Sequence, residues 1–155
     1  MKLKSKISNW NVSKFIFNRG YKFRRKDILK YLPKSYIENA YTSISKWNNY
    51  SKTPLISLNK LSKELNINKI YYKDESKRFN LKSFKALGGA YAVEKVTKGN
   101  KNITVSTATA GNHGRSVAWG AKRLGLKCKI FISEYVSEFR AKVMRSFGAD
   151  VIRVK

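Results

Sequence analysis

Residues 83–93 read SFKALGGAYAV, and Lys85 is the one charge in that run, within a chain whose other 24 lysines are set mostly among polar neighbours. A lysine flanked by Phe84, Ala86 and Leu87 loses hydration. That lowers the pKa of its amine and leaves more of the neutral form, which attacks a carbonyl. Schiff-base formation is the chemistry such a residue can do. The stretch alone fits better a lysine that snorkels from a helix end with its stem buried. Gly88 and Gly89 follow one turn on. Both are poor helix formers, so they predict a close approach by another part of the backbone.

A second segment, STATAGNHGRSVAW at 106–119, predicts a strand that ends in small hydroxyl residues, turns between Gly111 and Gly114, and enters a helix. The first turn of a helix presents unbonded N–H groups, which bind an anion. Thr107, Thr109 and Asn112 add side-chain donors, enough for a carboxylate or a phenolate at the carboxyl end of a parallel strand. The plainer alternative is a capped strand–helix turn with Asn112 as the cap and His113 at the surface. His113 is the only histidine and Cys128 the only cysteine. No metal cluster and no Cys/His nucleophile pair is therefore expected.

The elements that must carry these segments follow from periodicity. Apolar residues three and four apart predict short helices at 27–31 and 35–47 (Ile37, Ala40, Tyr41, Ile44, Trp47), with Pro33 between them. TPLISL, 53–58, reads as a turn into an extended piece, and a helix over 58–65 follows. Then come strand 68–73, helix 83–97, strand 102–107, helix 112–124, strand 128–133, helix 137–147 and strand 150–154, with Gly125 and Gly148 where helices should stop. Such alternation predicts an α/β fold, an open twisted parallel sheet with helices on both faces. The last strand reaches residue 155 with no covering helix after it. The expected fold is therefore incomplete, the front portion of something larger.

Composition narrows the function classes. At 155 residues the chain makes one domain, or part of one. No apolar run is long enough to span a membrane. The first 30 residues lack the apolar core of a secretory signal, and a lone cysteine suits a reducing cytoplasm. Thirty-four basic residues against nine acidic give +25. The excess of lysine over arginine, with abundant Asn, Ile and Tyr, is the mix of an A/T-rich coding sequence. No zinc-finger spacing, RNP-like motif or basic heptad accompanies it, so nucleic acid is not the expected partner.

Taken together, YYKDESKRFNLKSFKALGGAYAV (71–93) and TATAGNHGRSVAWGAKRLG (107–125) resemble the fold-type-II pyridoxal-phosphate enzymes, and within them the diaminopropionate ammonia-lyases. The KDES-RF lead-in separates these from the threonine and serine dehydratases, which carry similar SFK and AGNH runs. TPL at 53–55 matches an entry signature of the wider superfamily, and the resemblance covers about 35–155. It implies a basic extension at 1–34 followed by the amino-terminal part of the enzyme domain. Lys85 would hold pyridoxal 5'-phosphate covalently, with Phe84 near the ring and Asn112 on the phenolic oxygen. The backbone of Thr107, Ala108, Thr109, Ala110 and Gly111 would grip the substrate carboxylate. The implied reaction is α,β-elimination of 2,3-diaminopropionate to pyruvate and ammonia, in a homodimer when full-length.

Where the family carries an aspartate before GNHG, this sequence has Ala110. That takes away the residue serving there as a second acid/base, so the resemblance does not carry over reaction of the D-isomer, and ammonia-lyase and dehydratase both stay open. The family's glycine-rich phosphate cup and the partner of its pyridine nitrogen match nothing up to Lys155, so the chain alone is expected to bind the cofactor weakly and turn over little. A non-catalytic remnant or a basic binding module is the alternative from another class. The roles of Arg78 and Arg115, structural or facing a carboxylate, stay open.

Overall fold

A computed structural model describes residues 24–155, with Gly20. The aromatic residues Trp10, Phe15, Phe17 and Tyr21 of the basic extension lie outside the described residues. The chain divides into two compact units, one of residues up to Glu38 with Pro54–Asp74, the other of Asn39–Thr53 with Glu75–Lys155.

The first unit holds α1 (Arg25–Tyr31), the start of α2 (Lys34–Ser45), β1 (Leu55–Ser57), α3 (Asn59–Glu64) and β2 (Tyr71–Lys73). The strand expected at 68–73 forms only over its last three residues. It pairs antiparallel with β1, Ile56 opposite Tyr72, in a two-stranded sheet of its own, apart from the parallel sheet the alternation predicted. The reason is the connection: α3 is six residues long, about 9 Å, too short to carry the chain back across a sheet for parallel pairing. Bonds from Leu58 N–H to the Ile70 carbonyl (2.9 Å) and from Asp74 N–H to the Pro54 carbonyl (3.0 Å) lengthen the ladder at both ends. Every residue of the two strands is exposed, including Leu55, Ile56, Tyr71 and Tyr72.

The second unit carries α4 (Lys85–Thr97), β3 (Thr104–Ala108), α5 (Asn112–Leu124), β4 (Lys127–Ser133), α6 (Glu138–Ser146) and β5 (Asp150–Val154). The three strands form a parallel sheet in the order β3-β4-β5, the α/β alternation read from the sequence. Burial alternates along β4: Cys128, Ile130 and Ile132 are buried, while Lys127, Lys129 and Ser133 are exposed. One face is thus covered, by α5 and α6, with Val117, Ala121, Ala141 and Met144 completing the core. A second layer of helices does not occur among the described residues. Cys128 sits in this core at 5% exposure, and burial pushes its thiol pKa up. Its alkylation by iodoacetamide should therefore follow global unfolding and show no native-state phase, which a time course at increasing urea checks.

α4 and α5 pack through small residues. A methyl group placed on Gly120 would lie 2.7 Å from the Ala90 Cα, and one on Gly89 2.3 Å from the Ser116 hydroxyl oxygen. The sequence expectation of a close approach is met at Gly89; Gly88 faces open space. Gly120→Ala must push two helix backbones apart. It should cost about 1–3 kcal/mol in equilibrium denaturation, in excess of the gain that alanine normally brings to a helix interior.

Two buried polar arrangements hold the stretch before α4. Arg78, 6% exposed, donates through Nε and Nη2 to the Glu75 carboxylate (2.7 and 3.0 Å), through Nη1 to the Ser51 carbonyl (2.7 Å), and again through Nη2 to the Thr53 hydroxyl (2.9 Å). Arg78 is accordingly structural. It precedes Phe79, Asn80 and Lys82, all at positive φ (47°, 59° and 52°), a conformation that non-glycine residues keep only when the surroundings impose it. The Phe79 ring lies 4.7 Å from Trp119 and 5.9 Å from Trp47. The Trp47 indole N–H donates to Glu94 (2.9 Å), and the Arg123 guanidinium lies 4.0 Å over its ring.

Candidate active site

Lys85 is the first residue of α4. Its N–H donates to the Ser83 hydroxyl (3.2 Å), and its carbonyl accepts from the Ser116 hydroxyl on α5 (2.5 Å). Ser116 is 1% exposed. The same helix that presents the turn at 109–112 therefore fixes the backbone of Lys85 one turn further along.

The side chain of Lys85 opens into a cavity of about 320 Å³ lined by Thr109, Ala110, Gly111, Asn112, His113 and Arg140. Lys85 is exposed there, so its surroundings are a polar cleft and not the apolar ones its sequence neighbours suggested. Residues one apart on a helix do not share a face: Ala86 is buried at 1%, and Phe84 points outward at 65% exposure.

The turn is built by Thr109. Its N–H bonds the Phe131 carbonyl of β4 (2.9 Å), and its hydroxyl oxygen accepts from the N–H of Gly111 and of Gly114 (both 3.3 Å). Gly111, not Asn112, is the N-cap residue of α5, so the side-chain acceptor at this helix start is the Thr109 hydroxyl on the Gly114 N–H. The N–H groups of Asn112 and His113, in the first turn, face no carbonyl within the helix. Arg115 Nη1 donates to Asn112 Oδ1 (3.4 Å), which leaves the Asn112 amide nitrogen as a donor. Arg140, from α6, donates to the Ala110 carbonyl (3.3 Å).

Of the residues singled out in the sequence, Lys85, Thr109, Ala110, Gly111 and Asn112 come together around this cavity. Thr107 lies on the neighbouring groove along β3, Ala108 is exposed at the strand end, and Phe84 is outside the lining. His113 lines both hollows. Arg140 and Ser116 carried no sequence signal: one comes from a helix more than fifty residues after Lys85, and the other is a serine inside a helix. Among the described residues no acidic side chain lines the cavity. A primary amine facing N–H donors and cations fits an aldehyde that carries anionic oxygens.

The sequence pattern of the family described as "Pyridoxal-phosphate dependent enzyme" matches residues 46–155, well over half of the chain. The chain belongs to this family. A diaminopropionate ammonia-lyase of Salmonella typhimurium is 40% identical over 124 residues, 66% of this chain and 31% of that protein. A biosynthetic L-threonine dehydratase of Haemophilus influenzae is 39% identical over 101 residues, 64% of this chain and 19% of that protein. The crystal structure of the holo diaminopropionate ammonia-lyase of Escherichia coli superposes with a TM-score of 0.72 at 34% identity, over 79% of this chain and 36% of that one. This pyridoxal-phosphate enzyme chain thus spans about a third of the length of the lyases it matches. The expectations of an α/β fold and of membership in a family of pyridoxal-phosphate-dependent enzymes hold. Among the described residues no helix is long and apolar enough to cross a membrane.

Proposed function

We propose that residues 35–155 are the amino-terminal part of an ammonia-lyase that converts 2,3-diaminopropionate to pyruvate and ammonia, with 1–34 a basic extension. The supporting observation is that Lys85 and the Thr109–Asn112 turn line one cavity, with the lysine backbone tied to the turn's own helix by Ser116. Pyridoxal phosphate, held by Lys85, supplies the electron sink for carbanion chemistry at the substrate Cα. The first-turn N–H groups of α5 would hold the substrate carboxylate, and the Asn112 amide nitrogen would be the donor offered to the cofactor's phenolic oxygen. The Lys85 amine takes the proton from Cα as general base. Loss of the β-amino group follows, and hydrolysis gives the keto acid.

A dehydratase acting on serine or threonine is the second reading, favoured by the lack of any acidic side chain in the lining among the described residues, where a β-ammonium would find no carboxylate to pair with and Arg140 nearby. Measuring pyruvate, 2-oxobutanoate and ammonia released from 2,3-diaminopropionate, serine and threonine separates the two. The lyase reading fails if the hydroxy amino acids are turned over and the diamino acid is not. The family membership and the single cysteine support a cytoplasmic enzyme, a homodimer at full length, with a small amino acid rather than nucleic acid as its partner.

A further inference from the structure

The Lys85 side chain stands exposed in its cleft, but two buried hydroxyls hold its backbone from either side. Ser83, 9% exposed, accepts from the Lys85 N–H (3.2 Å), a first-turn donor that no carbonyl within α4 can meet. Ser116, 1% exposed, donates from inside α5 to the Lys85 carbonyl (2.5 Å). A serine within a helix normally turns to solvent or bonds a carbonyl one turn back in its own helix. Ser116 does neither, and its one proton goes to a residue 31 positions away. Gly89, one turn on from Lys85, makes the room: a Cβ there would lie 2.3 Å from the Ser116 hydroxyl oxygen and 2.7 Å from its Cβ. A missing side chain on α4 thus admits a hydroxyl from α5, aimed at the residue that carries the amine.

We infer that Ser83 and Ser116 are positioning residues that fix the root of Lys85 against the Thr109–Asn112 turn, so that its amine meets an aldehyde whose anionic oxygens rest on that turn. The inference deepens the lyase reading and rests on its premise that Lys85 holds the cofactor. In the bonding step the neutral amine nitrogen attacks the aldehyde carbon of pyridoxal phosphate. A C=N bond forms, and the aldehyde oxygen leaves with the two amine protons as water. Every one of the other 24 lysines can do the same, so placement must select Lys85. Its four-carbon stem is flexible, and anchoring the Cα end confines the amine to the neighbourhood of the turn, which raises its effective concentration there. The anchor and the turn belong to the same helix, α5. Sliding of α4 along α5 is therefore opposed at the point where it would carry the amine away.

The test treats the whole chain with pyridoxal phosphate at low concentration and reduces it with borohydride, which delivers hydride to the imine carbon and leaves a stable secondary amine. Peptide mapping then gives the label at each lysine. In the parent, Lys85 should carry more label than the other lysines. Ser116→Ala and Ser83→Ala should each lower the Lys85 label about tenfold or more, with the remaining lysines labelled as before. Ser83→Ala, ahead of the helix, is the independent break should Ser116→Ala not fold. Ile130→Val, a core change in β4 that touches neither serine, should lower the urea midpoint and leave the Lys85 label at the parent level, which separates lost placement from lost stability. Parent-level label at Lys85 in both serine variants overturns the inference and leaves the cofactor reading standing. An equal loss in Ile130→Val overturns it as general loosening. No preference for Lys85 in the parent overturns both.

Discussion

Lys85→Ala abolishes the absorbance change produced by pyridoxal phosphate and, with the remainder of a lyase supplied, lowers pyruvate release on the order of 10⁴-fold. In the proposed mechanism the amine serves twice, as cofactor tether and as base at Cα, and among the described residues no other lysine lines the cavity. Lys85→Arg, which keeps the charge, should not rescue, because guanidinium is neither a nucleophile nor a base at neutral pH. The side chain is exposed, so the variant should unfold within about 0.5 kcal/mol of the parent. That separates lost chemistry from lost fold. Full cofactor absorbance in Lys85→Ala would sink the site assignment. For the unmodified chain alone, weak cofactor binding and negligible turnover are expected, and spectrophotometric titration checks the first directly.

Glu75→Ala should cost about 3–5 kcal/mol, because it strands the Arg78 guanidinium, 6% exposed, without its bidentate partner. Against the 5–15 kcal/mol that holds a domain together, that is enough to leave much of the protein unfolded at 37 °C. Urea denaturation followed by tryptophan fluorescence measures it. The paired change Glu75→Leu with Arg78→Met removes both charges and should recover most of the loss. If Glu75→Ala unfolds at the parent's urea midpoint, the pair does not hold this turn, and the positive φ of Phe79 needs another cause.

Much of the site was legible in order along the chain. SFK and the AGNHG turn name their chemistry through residue type: a lysine among apolar neighbours, and small residues with a helix start where N–H groups lie unbonded. The α4, α5, β4 and α6 periods showed for the same reason, since each is set by contacts three or four residues apart, or by alternation. The β1–β2 pairing was not legible. Strand direction depends on what the intervening chain can span, and the apolar run at 68–73 reads the same in either sheet. The true setting of Lys85 was hidden too, because sequence adjacency to Phe84 and Ala86 says nothing about which face of α4 each residue occupies.

What the sequence alone determined, then, is which groups are present and which elements hold them: a lysine at one helix start, a glycine-flanked turn at another, and strands enough for a parallel sheet. That information is local, carried by residue chemistry and short-range backbone preference. Only the tertiary structure decided that Ser116 grips the Lys85 carbonyl, that Arg140 arrives from α6 to latch the Ala110 carbonyl, and that β4 lies between β3 and β5. Those facts come from how closely α4 and α5 approach and in what order strands lie, distances between residues tens of positions apart that no spacing along the chain encodes.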